Sequence, residues 1–205
     1  LTDRTTTGNG AISRFGRGWT DGTNEGAAAT SWDDATDTTA GYATDTKSIV
    51  LINNAGTVLA DADITSLDTN GFTINWSTAG GSRIVAYLAL AGSSLAGVKV
   101  GSQILDTATE AVMGVGFQPE GVLLMGARDT DGTNFGATQE GHGFGVAIST
   151  TSRHTNSHRE RVTTGSGTSV YRSNEALTIA DDTTLPETEY DLQSMDSGGF
   201  TLTRD

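Results

Sequence analysis

The chain has 205 residues with 27 Gly, 2 Pro and no Cys, and its 12 basic and 25 acidic residues give a net charge of −13 and a pI near 4.4. That balance argues against a nucleic-acid binder, which needs a basic face to release counterions, and against docking on an anionic membrane surface. The absence of Cys removes disulfide scaffolds, thiol catalysis and Cys-based zinc sites together, and no apolar run approaches the roughly 18 residues of a bilayer span.

The chain opens on Leu1 with no charged-then-apolar leader after it, so it is expected to be processed or part of a longer polypeptide. Residues 48–52 (Ser-Ile-Val-Leu-Ile) are a short β-branched strand, ended by the turn chemistry of Asn53-Asn54-Ala55-Gly56. Phe72, Ile74 and Trp76 alternate with Thr73 and Asn75, the period of a half-buried strand. Residues 83–90 form a continuous apolar run of strand length, expected to be central and covered on both faces. Two further strands are expected at 112–117 and 122–125, broken at Pro119-Glu120-Gly121, and residues 108–112 could form one helical turn. No window has sustained helical spacing with caps, while Thr, Ser, Gly and Asp fill the connections and favour turns.

An internal duplication organises these elements. Thr20-Asp21-Gly22-Thr23-Asn24 returns letter for letter at 130–134, and the stretch from Asp63 to Ile74 returns in degenerate form from Asp191 to Leu202, at a wider spacing. Between them, 47–50 is aligned with 168–171. Identical order with a growing offset means two homologous units, 1–107 and 108–205, with loop insertions in the second near 151–167 and 183–189. Neither copy is complete: Gly116-Phe117-Gln118-Pro119 has no partner before Phe15-Gly16, and Tyr87-Leu88-Ala89-Leu90 has none after Thr203. The expected fold is all-β, two tandem homologous antiparallel β-sandwich units of jelly-roll type. Each, at roughly 100 residues, is long enough for its own core.

The segments Gly116-Phe117-Gln118-Pro119-Glu120-Gly121-Val122-Leu123-Leu124-Met125-Gly126 and Gly141-His142-Gly143-Phe144-Gly145 carry a resemblance, together with Asn70-Gly71-Phe72-Thr73-Ile74-Asn75-Trp76 and the run 84–92. They resemble a repeat of tailed-bacteriophage virion proteins of the head or tail. The resemblance covers most of both units but rests on core strands and turns, with no reactive site among its motifs. It implies a non-enzymatic structural protein on a phage-like virion, either a surface or decoration protein or a tail-fibre component. Its partners would be its own copies and other virion proteins, and its location the extracellular particle.

Candidate chemistry is sparse. Trp19 and Trp32 lie in Gly/Asp/Thr-rich stretches and are the rings most free to stack on a host glycan, whereas Trp76 is expected in the core. A lectin-like adhesion module is therefore the competing function, and a self-assembling filament or surface-layer subunit a third. No cofactor is expected, unless Asp129, Asp131 and Asn134 ligate a calcium ion. Their loop lacks the third ligand and terminal Glu of the full pattern, and Asp-Gly is a common turn dipeptide. His154 and His158 with Glu160 would meet zinc on one helix face, but the surrounding stretch has no apolar stripe and is expected to be an exposed polar loop. No Gly-x-Ser-x-Gly elbow or Gly-x-x-x-x-Gly-Lys loop is present, and an enzyme is not expected.

Overall fold

A computed structural model describes residues 12–33, 38–79, 81, 85, 87–91, 95, 97–127, 139–161, 169–180 and 188–205. The described residues are all-β: fourteen strands in four antiparallel sheets, none closed into a barrel, and no helix. With no helix among them, none is long and apolar enough to cross a membrane. The chain divides into two compact units, the described residues up to Ser102 forming one and those from Gln103 onward the other.

In the first unit β1 (Ile12–Thr20), β2 (Glu25–Asp33) and β3 (Thr38–Thr44) form one sheet in that order. The second sheet is β4 (Ile49–Ile52), β5 (Val58–Asp68) and β6 (Gly71–Thr78). β4, read from its β-branched run, is buried along its whole length and lies against β1 and β2. Val50 and Ile52 meet Ala27, Ala29 and Ala40 there, with Tyr42 and Val58 packed alongside. Small residues on β2 and β3 let the sheets approach closely. In β6 the half-buried side chains are Phe72, Ile74 and Trp76, in the expected alternation.

The second unit pairs β8 (Val122–Ala127), β9 (Gln139–Ala147), β10 (Arg153–Arg161) and β11 (Ser169–Ser173) in one sheet. β12 (Leu177–Ile179), β13 (Thr188–Asp196), β14 (Gly199–Arg204) and β7 (Thr109–Met113) follow in the other. β12 lies against β8, β9 and β10. The core gathers Ala147, Leu177, Tyr190, Leu192 and Leu202, and the buried Tyr190 donates its hydroxyl to the Leu105 carbonyl at 3.0 Å. A buried phenol otherwise strands a polar group, so this bond makes the site tenable.

Four expectations fail for identifiable reasons. Residues 87–91 form no strand and are exposed, although their composition suits a strand covered on both faces. The strand expected at 112–117 ends at Met113, because Gly114 and Gly116 take φ of 81° and 85°, outside strand geometry. The helical turn considered at 108–112 is instead β7, held by pairing with β14. The polar stretch expected to be an exposed loop is instead β10 over 153–161, which alternates buried Thr155 and Ser157 with exposed His154 and Asn156.

Candidate functional site

The strand at 153–161 also decides the histidines. On a strand, alternation turns His154 and His158 to one face but spaces them far along it, so no helical ligand pair exists. His158 instead stands opposite His142 of β9, their ring centroids 5.0 Å apart.

Trp19 is on β1 opposite Gly26, half-buried, and a Cβ at position 26 would stand 2.6 Å from its Cζ2 atom. The glycine is therefore the seat of the ring. Trp32 is on β2 opposite Ser13 and Thr39, and its side chain lies outside the described residues. So do Asp129, Asp131 and Asn134 in full.

The first copy of that motif is described. Asp21 Oδ1 accepts from the backbone amides of Thr23 (2.9 Å) and Asn24 (2.7 Å), and Asn24 Nδ2 reaches Asp21 Oδ2 at 3.0 Å. Val100 N approaches Oδ2 at 3.4 Å. Partial burial pushes this carboxyl up, but the donors of Asn24, Thr23 and Val100 outweigh it and hold the pKa down at about 2. The carboxylate is committed to its own turn.

The most concentrated chemistry lies where sequence reasoning did not point. Glu175, in the connection from β11 to β12, Asp191 on β13 and Asp205 bring carboxylate oxygens within 4.8 Å of one another. Arg153 at the start of β10 lies among them, Nη2 2.5 Å from Asp191 Oδ1 and 3.6 Å from Glu175 Oε2, while its Nη1 donates to the Thr150 carbonyl. A hydrogen bond with Asp191, burial and the Asp191 charge push the Glu175 carboxyl up to about 7, only partly offset by Arg153. One proton shared between two carboxyls relieves like-charge repulsion at this distance. Chemically the group could hold a proton or a hard cation, but Arg153 already supplies the neutralising charge. Its geometry is that of a clasp joining the two sheets of the unit.

Sequence reasoning missed it because Arg153, Glu175 and Asp191 are far apart in the chain and each sits among ordinary polar residues. The one available signal was repetition: Asp191 matches Asp63, whose two oxygens are each 3.0 Å from Lys47 Nζ. No family model matches the chain, and neither a characterised protein nor a solved structure does.

Proposed function

We propose that this chain is a non-enzymatic structural protein of a phage-like virion, serving as a surface or decoration protein or as part of a tail fibre. In this reading the fold is two tandem homologous β-sandwich units of jelly-roll type, divided near 107/108. Support comes from strand pairing: β1-β2-β3 with β4-β5-β6 has the same order as β9-β10-β11 with β12-β13-β14. In that alignment β4 corresponds to β12, so residues 49–52 match the segment at 177–179 rather than the one near 170, and the β1–β2 turn at 20–24 matches the β9–β10 connection at 148–152 rather than its letter-for-letter copy at 130–134.

The observation that carries the structural role is the outer face of the β8–β11 sheet. Leu123 and Met125 stand opposite Val146 and Phe144 of β9, and Leu123, Met125 and Phe144 are exposed. Exposed His154 and Asn156 of β10 border them. An apolar patch rimmed by polar groups marks contact with another protein surface. The carboxylate cluster fits a structural role too, since ion-pair networks shift pKa values without doing catalysis. The glycan-binding alternative needs a free Trp19 ring, and the seat on Gly26 weighs against it.

Particles from a culture of the source organism, stained with gold-labelled antibody to this chain, test the proposal. Label regularly spaced on heads, or confined to tails, is expected. Label on headless filaments, or on no particle at all, would overturn it.

A further inference from the structure

The chain has three histidines, and all of them stand on β9 and β10. Alternation on those strands sends Gly141, Gly143, Thr155 and Ser157 into the unit and leaves His142 and His158 on the outward row. The register sets these two directly opposite each other. Both are half-buried, their ring centroids are 5.0 Å apart and their planes are tilted by 36°. His154, exposed and opposite Val146, is two steps away along the same row.

The inward residues hold the pair in place. Ser157 Oγ donates to the His142 carbonyl at 3.2 Å and accepts from Ala180 N at 2.8 Å, which ties the backbones beside both histidines to each other and to the chain just after β12. Gly141 and Gly143 let the carbonyls of Ala180 and Thr178 come in close against β9. Ligands fixed by such support meet an ion with little further ordering.

A zinc ion lies about 2.1 Å from an imidazole nitrogen, so two rings sharing one tetrahedral ion carry their centroids about 5 Å apart. The observed pair stands at that separation. Imidazole nitrogens select zinc, copper and nickel over calcium and magnesium.

The charges around the pair allow a cation. The β8–β11 sheet as a whole is net positive, with Arg153, Arg159, Arg161 and Arg172 against Glu140 and Glu160. Arg153, however, is bound to Asp191 and stands five residues from His158. Arg159 and Arg161 alternate off the outward row, whereas Glu140 and Glu160 are paired on its next rung beyond the histidines. On the other side Arg172 is opposite Asn156, so two carboxylates and one guanidinium border the pair in the register.

We propose that His142 and His158 form a two-imidazole site for a divalent transition-metal ion of the zinc class, with water in the remaining coordination positions. The ion bridges β9 and β10, and because it binds only the folded pairing it stabilises the second unit. The site goes beyond the virion role and does not depend on it.

The test is calorimetric titration of zinc into the full chain after treatment with a chelator and dialysis, alongside His142→Ala, His158→Ala and His154→Ala. One ion per chain is expected to bind the wild type and His154→Ala alike. The second imidazole of a pair binds within the same molecule, so loss of either His142 or His158 should weaken binding by about a hundredfold. Excess calcium should not displace the zinc, and melting curves recorded without metal verify that each variant folds. In the wild-type chain, zinc should shield His142 and His158 from diethyl pyrocarbonate while His154 reacts as before, read by mass spectrometry. A wild-type chain that takes up no zinc would mean that the two rings merely pack, and would overturn the proposal. So would binding that survives either substitution, binding that depends on His154, or zinc that yields to calcium.

Discussion

Arg153 on β10 and Asp191 on β13 meet at 2.5 Å, Nη2 to Oδ1, and so join the two sheets of the second unit by charge. Asp63, at the matching place in the repeat, takes Lys47 as its partner, with Ser77 Oγ also 3.1 Å from the same ammonium. That cation lies just before β4, in the same sheet as Asp63. The acidic residue recurs while the source of its counter-charge differs, as expected if charge balance, rather than one geometry, is what the position needs.

Replacing Arg153 by Ala leaves Glu175, Asp191 and Asp205 together without their cation. Removing one member of a fully buried pair costs about 3–5 kcal/mol. These side chains keep some solvent, which reduces the expected loss to about 2 kcal/mol. All three Trp residues, 19, 32 and 76, precede Ser102, so their fluorescence reports the first unit. Urea unfolding followed by circular dichroism should show an earlier transition in Arg153→Ala, while the Trp transition stays in place. Two traces shifting together would refute a local clasp.

The same cluster imposes a pH dependence. Glu175 titrates at about 7 when folded and near 4.5 when unfolded, so between those values the folded chain holds a proton that the unfolded chain has released. Its contribution is fullest below pH 4.5, declines as pH rises to 7, and is level above. Asp21, held down at about 2, has the opposite sign: its contribution is present above pH 3.8 and fades as pH falls toward 2. Glu175→Gln should flatten the decline between pH 5 and 7 and raise stability at pH 8 by on the order of 1–2 kcal/mol, allowing for partial solvation. Thermal melts at three or four pH values would check this, and an unchanged slope would count against the shared proton.

Hydroxyls on β10 form a second link between the sheets. Thr155 Oγ1 donates to the Phe144 carbonyl and accepts from Thr178 N at 3.0 Å; Ser157 Oγ donates to the His142 carbonyl and accepts from Ala180 N at 2.8 Å. Thr155 and Ser157 are buried, so Thr155→Val or Ser157→Ala strands an amide away from water, at about 1–3 kcal/mol each. The double variant should lose less than the sum if the sheets part at once, which a double-mutant cycle would measure.

How much of this was readable in the chain depends on whether a feature is local. The strand at 49–52 and the Phe72–Ile74–Trp76 alternation were legible, because period and β-branching state which face is buried. β10 was not, because Arg-His-Thr-Asn-Ser-His has no apolar residue to mark its inward side. Thr155 and Ser157 face inward on the strength of hydrogen bonds that only the folded pairing reveals. Residues 87–91 misled in the other direction: composition alone promised a central strand, and nothing in it says where the pairing partner is. The Arg153 cluster joins residues from β10, β13 and the β11–β12 connection, and no spacing rule spans them.

Glycine placement on β9 leads to the sharpest substitution. Gly141, Gly143 and Gly145 alternate along the strand, all on the buried face, and a Cβ on any of them would run into the backbone carbonyl of Ala180, Thr178 or Ala176 respectively. Gly16 and Gly18 on β1 meet Val50 and Ser48 in the same way. These residues have no side chain because another strand's backbone lies where a Cβ would be, and backbone cannot swing aside as a flexible side chain can. The hydroxyl bonds of Thr155 and Ser157 require that same closeness, so a methyl group at 143 would both overlap the Thr178 carbonyl and lengthen the Thr178–Thr155 and Ala180–Ser157 bonds. Gly143→Ala is therefore expected to cost at least about 3 kcal/mol, more than the 1–3 kcal/mol of ordinary overpacking. The exposed Gly71→Ala, whose Cβ would meet nothing within 4 Å, should be close to neutral. Denaturation midpoints of the two variants provide the comparison. Equal midpoints would mean that the β9–β12 approach is looser than the glycine spacing requires.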